Sequence, residues 1–194
     1  MIAYAFWHRK KPEVERQDYE NAISKFQESL REPELPGFAG SLVARLEEEA
    51  PWFNDKSPGG YEDWYLLDGS AVMDKLNEFA VGGARKKPHD DLANLATDFR
   101  GGLYQLRIGS PSSLLGSVST WISKQRGYPY ESFYDAMTEF VSAKDRSLWR
   151  RQMTLGPTPE FCLISEKRLD LPKVFNPIVI HRKIVWGSSR NLGH

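Results

Sequence analysis

The feature that most constrains the fold is the opening segment, residues 2–8, which reads as a β-strand with apolar side chains on both faces. Ala3, Ala5 and Trp7 alternate with Tyr4, Phe6 and His8. A strand that is apolar on both faces is typical of one that is covered on both sides. We expect helices to approach the face with the small alanines and a ligand to bind at the aromatic face.

The next hundred residues predict a mixed succession of helices and strands. Apolar spacing predicts a helix over residues 13–31, strands over 38–46 and 61–67, and a helix that starts near Ser70 and ends at Gly82. A further helix is predicted from Pro88 through Phe99, followed by a strand over residues 103–108. This order corresponds to the ferredoxin-like split βαβ arrangement.

The second half of the chain predicts a related but shorter succession. Residues 101–109 resemble the opening strand, so they predict a strand that begins a second half of the chain. A short helix is expected over residues 117–124, a longer helix over 131–143, and strands over 160–165 and 178–186. Residues 19–26 and 133–140 align at an offset of 114, with an alanine and a phenylalanine in common. Two amphipathic helices also match this well by chance, so both duplication and coincidence stay open.

Composition excludes several classes of protein. The 26 basic and 26 acidic residues cancel, so no overall field favours nucleic acid or an anionic membrane. The single cysteine cannot form an internal disulfide. No apolar run approaches the length of a membrane span, and the opening one is too short for a secretory leader. We expect a cytoplasmic protein with neither nucleic acid nor membrane as a partner, and a homo-oligomer is left open.

The first half resembles the dimeric α+β barrel superfamily of ferredoxin-like proteins. The resemblance rests on the strand at residues 2–8, the helix around Tyr19 to Leu30, and the segment Tyr61–Leu67, which runs through Asp68-Gly69-Ser70 into the helix at Leu76. It implies an α+β fold in which two tandem ferredoxin-like halves, residues 1–100 and an incomplete 101–194, form one compact antiparallel pseudo-dimeric barrel with helices outside. The superfamily includes cofactor-free monooxygenases, haem-dependent enzymes and small-molecule lyases, so it leaves the function open.

The familiar catalytic motifs are absent from the sequence. It contains no phosphate-binding glycine loop, no GxGxxG after a strand, no HExxH and no GxSxG. The four histidines are far apart, and His89 beside Asp90-Asp91 fits helix capping, so no metal site is expected. No motif indicates a cofactor, while haem and flavin both stay open.

Polar side chains on the predicted strands are the candidate site residues. An unpaired buried charge costs several kcal/mol, so some of these side chains must line a wet cavity or the barrel rim. His181, near the middle of the last strand, is a candidate base, with a purely structural role as the alternative. The candidate pocket residues are Tyr4, His8, Arg45, Gln105, Arg107 and His181.

Arg85, Lys86 and Lys87 precede a predicted helix and form a candidate anion site, because basic side chains and free amides bind phosphate or carboxylate groups. The alternative is a solvated basic turn. Cys162 lies in an apolar strand and is predicted to be a buried small hydrophobe.

Two functions follow from these features. The first is binding, with turnover left open, of a small partly apolar or aromatic molecule in the barrel interior. The second is a non-catalytic assembly module that pairs through exposed sheet surface. A buried polar pocket favours the first, whereas an interior filled with Trp, Phe and Leu favours the second.

Overall fold

The computed structural model describes residues 1–54, 59–142, 145–152, 156 and 158–187. The strands are β1 Ile2–Lys10, β2 Phe38–Leu46, β3 Tyr61–Leu67, β4 Ala96–Gly109, β5 Val118–Ile122, β6 Ser147–Arg151, β7 Phe161–Ser165 and β8 Ile178–Trp186. The helices are α1 Arg16–Ser29, α2 Ala71–Val81, α3 Lys86–Leu95 and α4 Tyr130–Val141. Short 3₁₀ segments occur at Gly83–Arg85, Pro111–Leu115 and Lys173–Phe175.

The eight strands close into one antiparallel barrel with the order β1-β3-β2-β8-β5-β7-β6-β4, and β4 returns to β1. The first strand therefore pairs on both sides, with Ala5 opposite Trp64 of β3 and Gly102 of β4. Closure satisfies the backbone hydrogen bonds that an open sheet would leave at its edges. The fold is thus a mixed α+β fold with helices outside a closed sheet.

Tryptophan side chains fill the barrel interior, together with smaller apolar residues. The rings of Trp7 and Trp121 have centroids 5.5 Å apart, and those of Trp64 and Trp149 are 5.4 Å apart. Trp52 also belongs to this cluster, so five of the six tryptophans of the chain lie here. Side chains that fill a small barrel make it a packed core.

The predicted alternation of β1 is confirmed, but the assignment of its faces is wrong. Ala3, Ala5 and Trp7 point into the barrel, whereas Tyr4 and Phe6 belong to the cluster under the helices. The small alanines make room for neighbouring indoles across the barrel rather than for helices. Alternating large and small residues in this way lets facing side chains interdigitate.

Most predicted elements agree with the structure. The strands at residues 38–46, 61–67 and 178–186 have the predicted bounds. The helix expected over residues 117–124 is instead strand β5, in which Trp121 points inward and Ile122 packs under α4. Phe99 lies in β4 rather than in a helix, because α3 ends at Leu95. Strand β6 was not predicted.

Helices α1, α2 and α3 cover the outer face of β1, β2 and β3. Tyr19, Ile23 and Phe26 of α1 are buried at the predicted helical spacing. All seven residues of β3 are buried, because the barrel interior covers one face and these helices cover the other. Within the described part of the chain, no helix is both long and apolar enough to cross a membrane.

Candidate functional site

A cavity of about 710 Å³ lies between the outer face of β1 and β3 and the three helices α1, α2 and α3. Its volume falls within the range of pockets that hold small organic molecules, roughly 300–1,000 Å³. Because the barrel interior is filled, this cavity lies outside the barrel, although the sequence predicted a ligand inside it. The aromatic face of β1 does line the cavity.

Aromatic rings form the floor of the cavity. Tyr4 stacks on Phe6 with ring centroids 6.0 Å apart, and Phe6 stacks on Phe99 at 5.9 Å. Tyr65 extends the row on the other side of Tyr4, at 6.3 Å. Phe26, Met73, Leu76 and Leu92 add apolar walls from the helices. A ligand here would lie against a continuous row of stacked rings.

A buried hydrogen-bonded network lies at the deep end of the cavity. His8 Nε2 is 2.9 Å from Asp63 Oδ1, and Tyr19 Oη is 2.6 Å from His8 Nδ1. Asp63 Oδ2 accepts hydrogen bonds from Tyr65 Oη at 2.8 Å and from Gln27 Nε2 at 3.3 Å. The carboxylate therefore has a partner for each oxygen, as burial requires.

The network fixes the roles of its members. When His8 Nε2–H donates to Asp63, its Nδ1 is left to accept the hydrogen bond of the Tyr19 hydroxyl. Burial, with a contribution from the Asp63 charge, raises the pKa of Tyr19 well above its usual value, so its hydroxyl stays protonated. Both nitrogens of His8 are engaged, and neither is free for a metal or a ligand.

Tyr4 is the exception among the polar residues of the floor. Its hydroxyl makes no hydrogen bond to any described residue, although the ring lies in the cavity wall. Burial and the Asp63 charge raise its pKa, so it remains a neutral donor. The ring lies over Gly101, where an added Cβ would come within 2.6 Å of the Tyr4 hydroxyl. The absence of a side chain at Gly101 thus leaves room for the unpaired Tyr4 hydroxyl.

The mouth of the cavity is both apolar and acidic. Phe99 is 48% exposed and Val81 is 42% exposed, and both line the cavity. Asp74 and Asn77 of α2 lie on the same rim. His89 of α3 also lines the cavity, with Nδ1 3.1 Å from Asp90 Oδ1.

The six candidate pocket residues do not converge on one site. Tyr4 and His8 line the cavity. Arg45 lies 2.8 Å from Glu20 Oε1 and lines a separate polar cleft of about 210 Å³. Arg107 Nη1 donates to Gln105 Oε1 at 3.0 Å on the outer face of β4.

His181 does not lie at the cavity either. It is half exposed on β8, where its Nδ1 contacts Glu48 Oε1 and its backbone N–H donates to Glu48 Oε2 at 2.5 Å. This bidentate contact ties β8 to the loop after β2, which is a structural role. Its half-exposed position differs from the enclosed pockets in which ligands usually bind.

Each basic side chain of the predicted anion site already interacts with another residue of the chain. Arg85 stacks on the Phe79 ring at 3.6 Å, and its Nε donates to the Phe79 carbonyl at 2.6 Å. Lys86 and Lys87 form i,i+4 ion pairs with Asp90 and Asp91. No group of three potential metal ligands occurs among the described residues.

Sequence reasoning missed the partners that complete the site. Asp63, Tyr19 and Gln27 are buried and hydrogen-bonded to one another or to His8. The available signal was Asp63 itself, which lies with Glu62 in a strand whose other five residues are aromatic or leucine. Such a residue needs a buried partner, and His8 on the neighbouring strand supplies it.

Comparisons with known proteins identify the fold. No protein-family model and no curated protein matches the sequence. A solved structure of a protein provisionally assigned as a monooxygenase, from Lactobacillus acidophilus NCFM, aligns with a TM-score of 0.54 at 9% identity, over 95% of this chain and 94% of that one. A provisionally assigned chlorite dismutase aligns with a TM-score of 0.50 at 11% identity, over 99% and 98%. This chain shares the fold of these two proteins.

A haem or a flavin phosphate does not fit the residues of the cavity. Haem propionates and flavin phosphates are anions that proteins usually pair with Arg or Lys. The described lining contains neither residue, whereas it contains Asp63 and Asp74. Both nitrogens of His8 are engaged, and Nδ1 of His89, the other histidine of the described lining, contacts Asp90, which leaves only His89 Nε2 for an iron ion. The donor set therefore suits a ligand without negative charge.

Proposed function

We propose that the protein binds a small, partly aromatic or apolar molecule in the cavity between the barrel and helices α1 to α3. The observation that carries the proposal is the unpaired Tyr4 hydroxyl in the floor of an otherwise apolar, aromatic cavity. Small-molecule pockets combine an apolar wall with a few polar groups that orient the ligand. Tyr4 would donate to the ligand, and the row of rings would supply the apolar contact.

The proposal is that the cavity binds a ligand, and it includes no chemical reaction of that ligand. A general base needs a nitrogen or oxygen free to accept a proton from the substrate. His8 and Asp63 in the deep wall already have protein partners. Their saturated network holds the floor in place, which supports a preformed site.

Thermal shift and calorimetry with a panel of small aromatic molecules test the proposal. A ligand at 100 times its Kd should stabilise the protein by about 2.7 kcal/mol. Tyr4→Phe should weaken its binding by about 2- to 10-fold, which is the contribution of one hydrogen bond. Ala80→Phe should weaken binding, because Ala80 lines the cavity and the larger ring would occupy part of it.

Two matched variants control for effects of the substitution itself. Tyr130→Phe removes an exposed hydroxyl that bonds Glu160, and Ala71→Phe adds a ring at an exposed position of the same helix as Ala80. Both should bind like the original protein. Stabilisation by no member of the panel, or undiminished binding by Ala80→Phe, would contradict the proposal.

We also propose that the barrel consists of two ferredoxin-like halves. The strand order supports this, since β4-β1-β3-β2 and β8-β5-β7-β6 follow the same pattern around the barrel. At the offset of 114, Trp7 corresponds to Trp121, and both indoles point into the interior. On this proposal β5 is the counterpart of β1, and β4 completes the first half. The division predicted at residue 101 would cut β4 (Ala96–Gly109), so on this proposal the first half extends to Gly109.

The competing function, assembly through sheet surface, is favoured by the tryptophan-filled interior. Two features of the described residues weigh against it. The strands close on themselves, so they offer no free edge. The exposed outward residues of β4 and β8 include Arg107, His181 and Lys183, which do not form an apolar face. Sedimentation at several concentrations distinguishes the two, because a strict monomer contradicts assembly.

A further inference from the structure

We infer that the ligand of the cavity is an organic cation, such as an amine attached to an aromatic or alkyl group. This inference rests on the proposed binding function and specifies the chemical class of the ligand. It is carried by the charge of the wall, the arrangement of the rings and an unpaired carboxylate at the mouth.

The described wall of the cavity never has a net positive charge. Its ionisable acids are Asp63 and Asp74, and its only potential cations are His8 and His89. Even if both histidines are protonated, the two positive charges only cancel the two carboxylates. With neutral histidines the wall has two negative charges. An anionic ligand would meet two carboxylates and no arginine or lysine on the described lining, whereas a cationic ligand would be attracted by both carboxylates.

The nearby cations are held away from the cavity. Arg85 lies over the outer ring face of Phe79 and donates to the Phe79 carbonyl. Lys86 and Lys87 extend to Asp90 and Asp91 on the exposed side of α3, with both lysine side chains mostly exposed. None of the three lines the cavity. They therefore do not supply the positive charge that an anion would need.

Four aromatic rings lie together in the wall of the cavity. The rings of Tyr65, Tyr4, Phe6 and Phe99 stack in sequence with centroid spacings of 6.3, 6.0 and 5.9 Å. The face of an aromatic ring carries partial negative charge and attracts ammonium groups. Aromatic walls of this kind recognise alkylammonium ligands in other proteins.

Asp74 supplies a free negative charge where a ligand would enter. Its carboxylate makes no hydrogen bond or ion pair with the described residues, and it lies on the lining near Asn77. Asp74 lies in the first turn of α2, where the helix dipole stabilises a negative charge. A cation bound against the ring row could pair with this carboxylate, while the Tyr4 hydroxyl accepts or donates at the floor.

Three probes of similar size test the charge preference: 2-phenylethylammonium, 2-phenylethanol and phenylacetate. Calorimetry at pH 7.5 in 50 mM salt should show the ammonium binding at least 10-fold more tightly than the alcohol, with phenylacetate weakest. Asp74→Asn should reduce the preference for the ammonium several-fold. Higher salt should also reduce it, because the mouth of the cavity is exposed to solvent.

The matched control is Asp135→Asn, which removes an exposed carboxylate on α4, away from the cavity. It should leave all three affinities unchanged. If the alcohol or phenylacetate binds as tightly as the ammonium, the charge inference fails while the proposed binding function stands. If none of the three probes binds, both fail.

Discussion

At the scale of single residues, the buried polar groups fall into two classes. His8, Asp63 and Tyr19 satisfy one another, so they stabilise the wall of the cavity. Tyr4 lies beside them without a protein partner and is therefore the group most available to a ligand. The sequence identified Tyr4 and His8 from their position on β1, but their different roles depend on what lies opposite each side chain.

Cys162 provides a prediction at this scale. Its side chain is fully buried in the barrel interior, and burial raises the pKa of its thiol well above the usual value. Only the thiolate reacts readily with disulfide reagents. In the folded protein at pH 8, we expect Cys162 to react with Ellman's reagent at least 100-fold more slowly than in 6 M guanidinium chloride. Rapid reaction of the folded protein would contradict the packed interior. The chain has no other cysteine, so the signal is unambiguous.

At the scale of elements, the sequence predicts strands β2, β3 and β8 with their correct bounds. Strand β5 was mistaken for a helix because Val118–Ile122 is too short to show a period clearly. Strand β4 was predicted too short, because its first residues continue the apolar pattern of α3 without a break. The glycines of β4 lie where neighbouring groups in the tertiary structure leave little room for a side chain.

Alanine substitutions at two glycines of β4 should affect stability differently. At Gly109, φ is +89° and an added Cβ would lie 2.0 Å from the Arg146 carbonyl oxygen, so Gly109→Ala should lower the free energy of unfolding by more than about 1 kcal/mol. At Gly101 the added Cβ meets the end of the Tyr4 side chain, which can move. Gly101→Ala should leave stability nearly unchanged and weaken ligand binding. Urea unfolding and calorimetry measure both effects, and equal stability of the two variants would contradict this prediction.

At the scale of the whole molecule, a buried ion pair connects distant parts of the barrel. Arg182 Nε of β8 lies 2.6 Å from Glu62 Oε1 of β3, and both side chains are fully buried. Trp7 Nε1 donates to Glu62 Oε2 at 3.2 Å, and Arg182 Nη1 donates to the Gly116 carbonyl at 3.1 Å. The pair thus joins β1, β3, β8 and the segment before β5 within one interior.

Removing one member of this pair should destabilise the protein strongly. Arg182→Met leaves Glu62 buried without its cation and should lower the free energy of unfolding by about 3–5 kcal/mol. The double variant Glu62→Leu with Arg182→Met should recover much of that loss, because no charge remains unpaired. As a control, Lys87→Met at the exposed pair with Asp91 should cost less than about 1 kcal/mol. Denaturant unfolding measures all three, and a cost below 1 kcal/mol for Arg182→Met would refute the role of the pair.

The sequence by itself determined the elements with strong local periodicity, namely β1, β2, β3, β8 and the buried face of α1, because alternation and helical spacing are local properties of the chain. It also indicated a mixed α+β fold, which the two solved structures of similar fold support. Tertiary structure decided which face of β1 points inward. From the sequence, the small side chains of Ala3 and Ala5 indicated a face against which helices pack. In the structure they lie in the barrel interior, where indole rings fill the space beside them. Tertiary structure likewise placed the candidate cavity on the outer face of the barrel rather than inside it, because the volume inside a barrel depends on side chains from all eight strands at once.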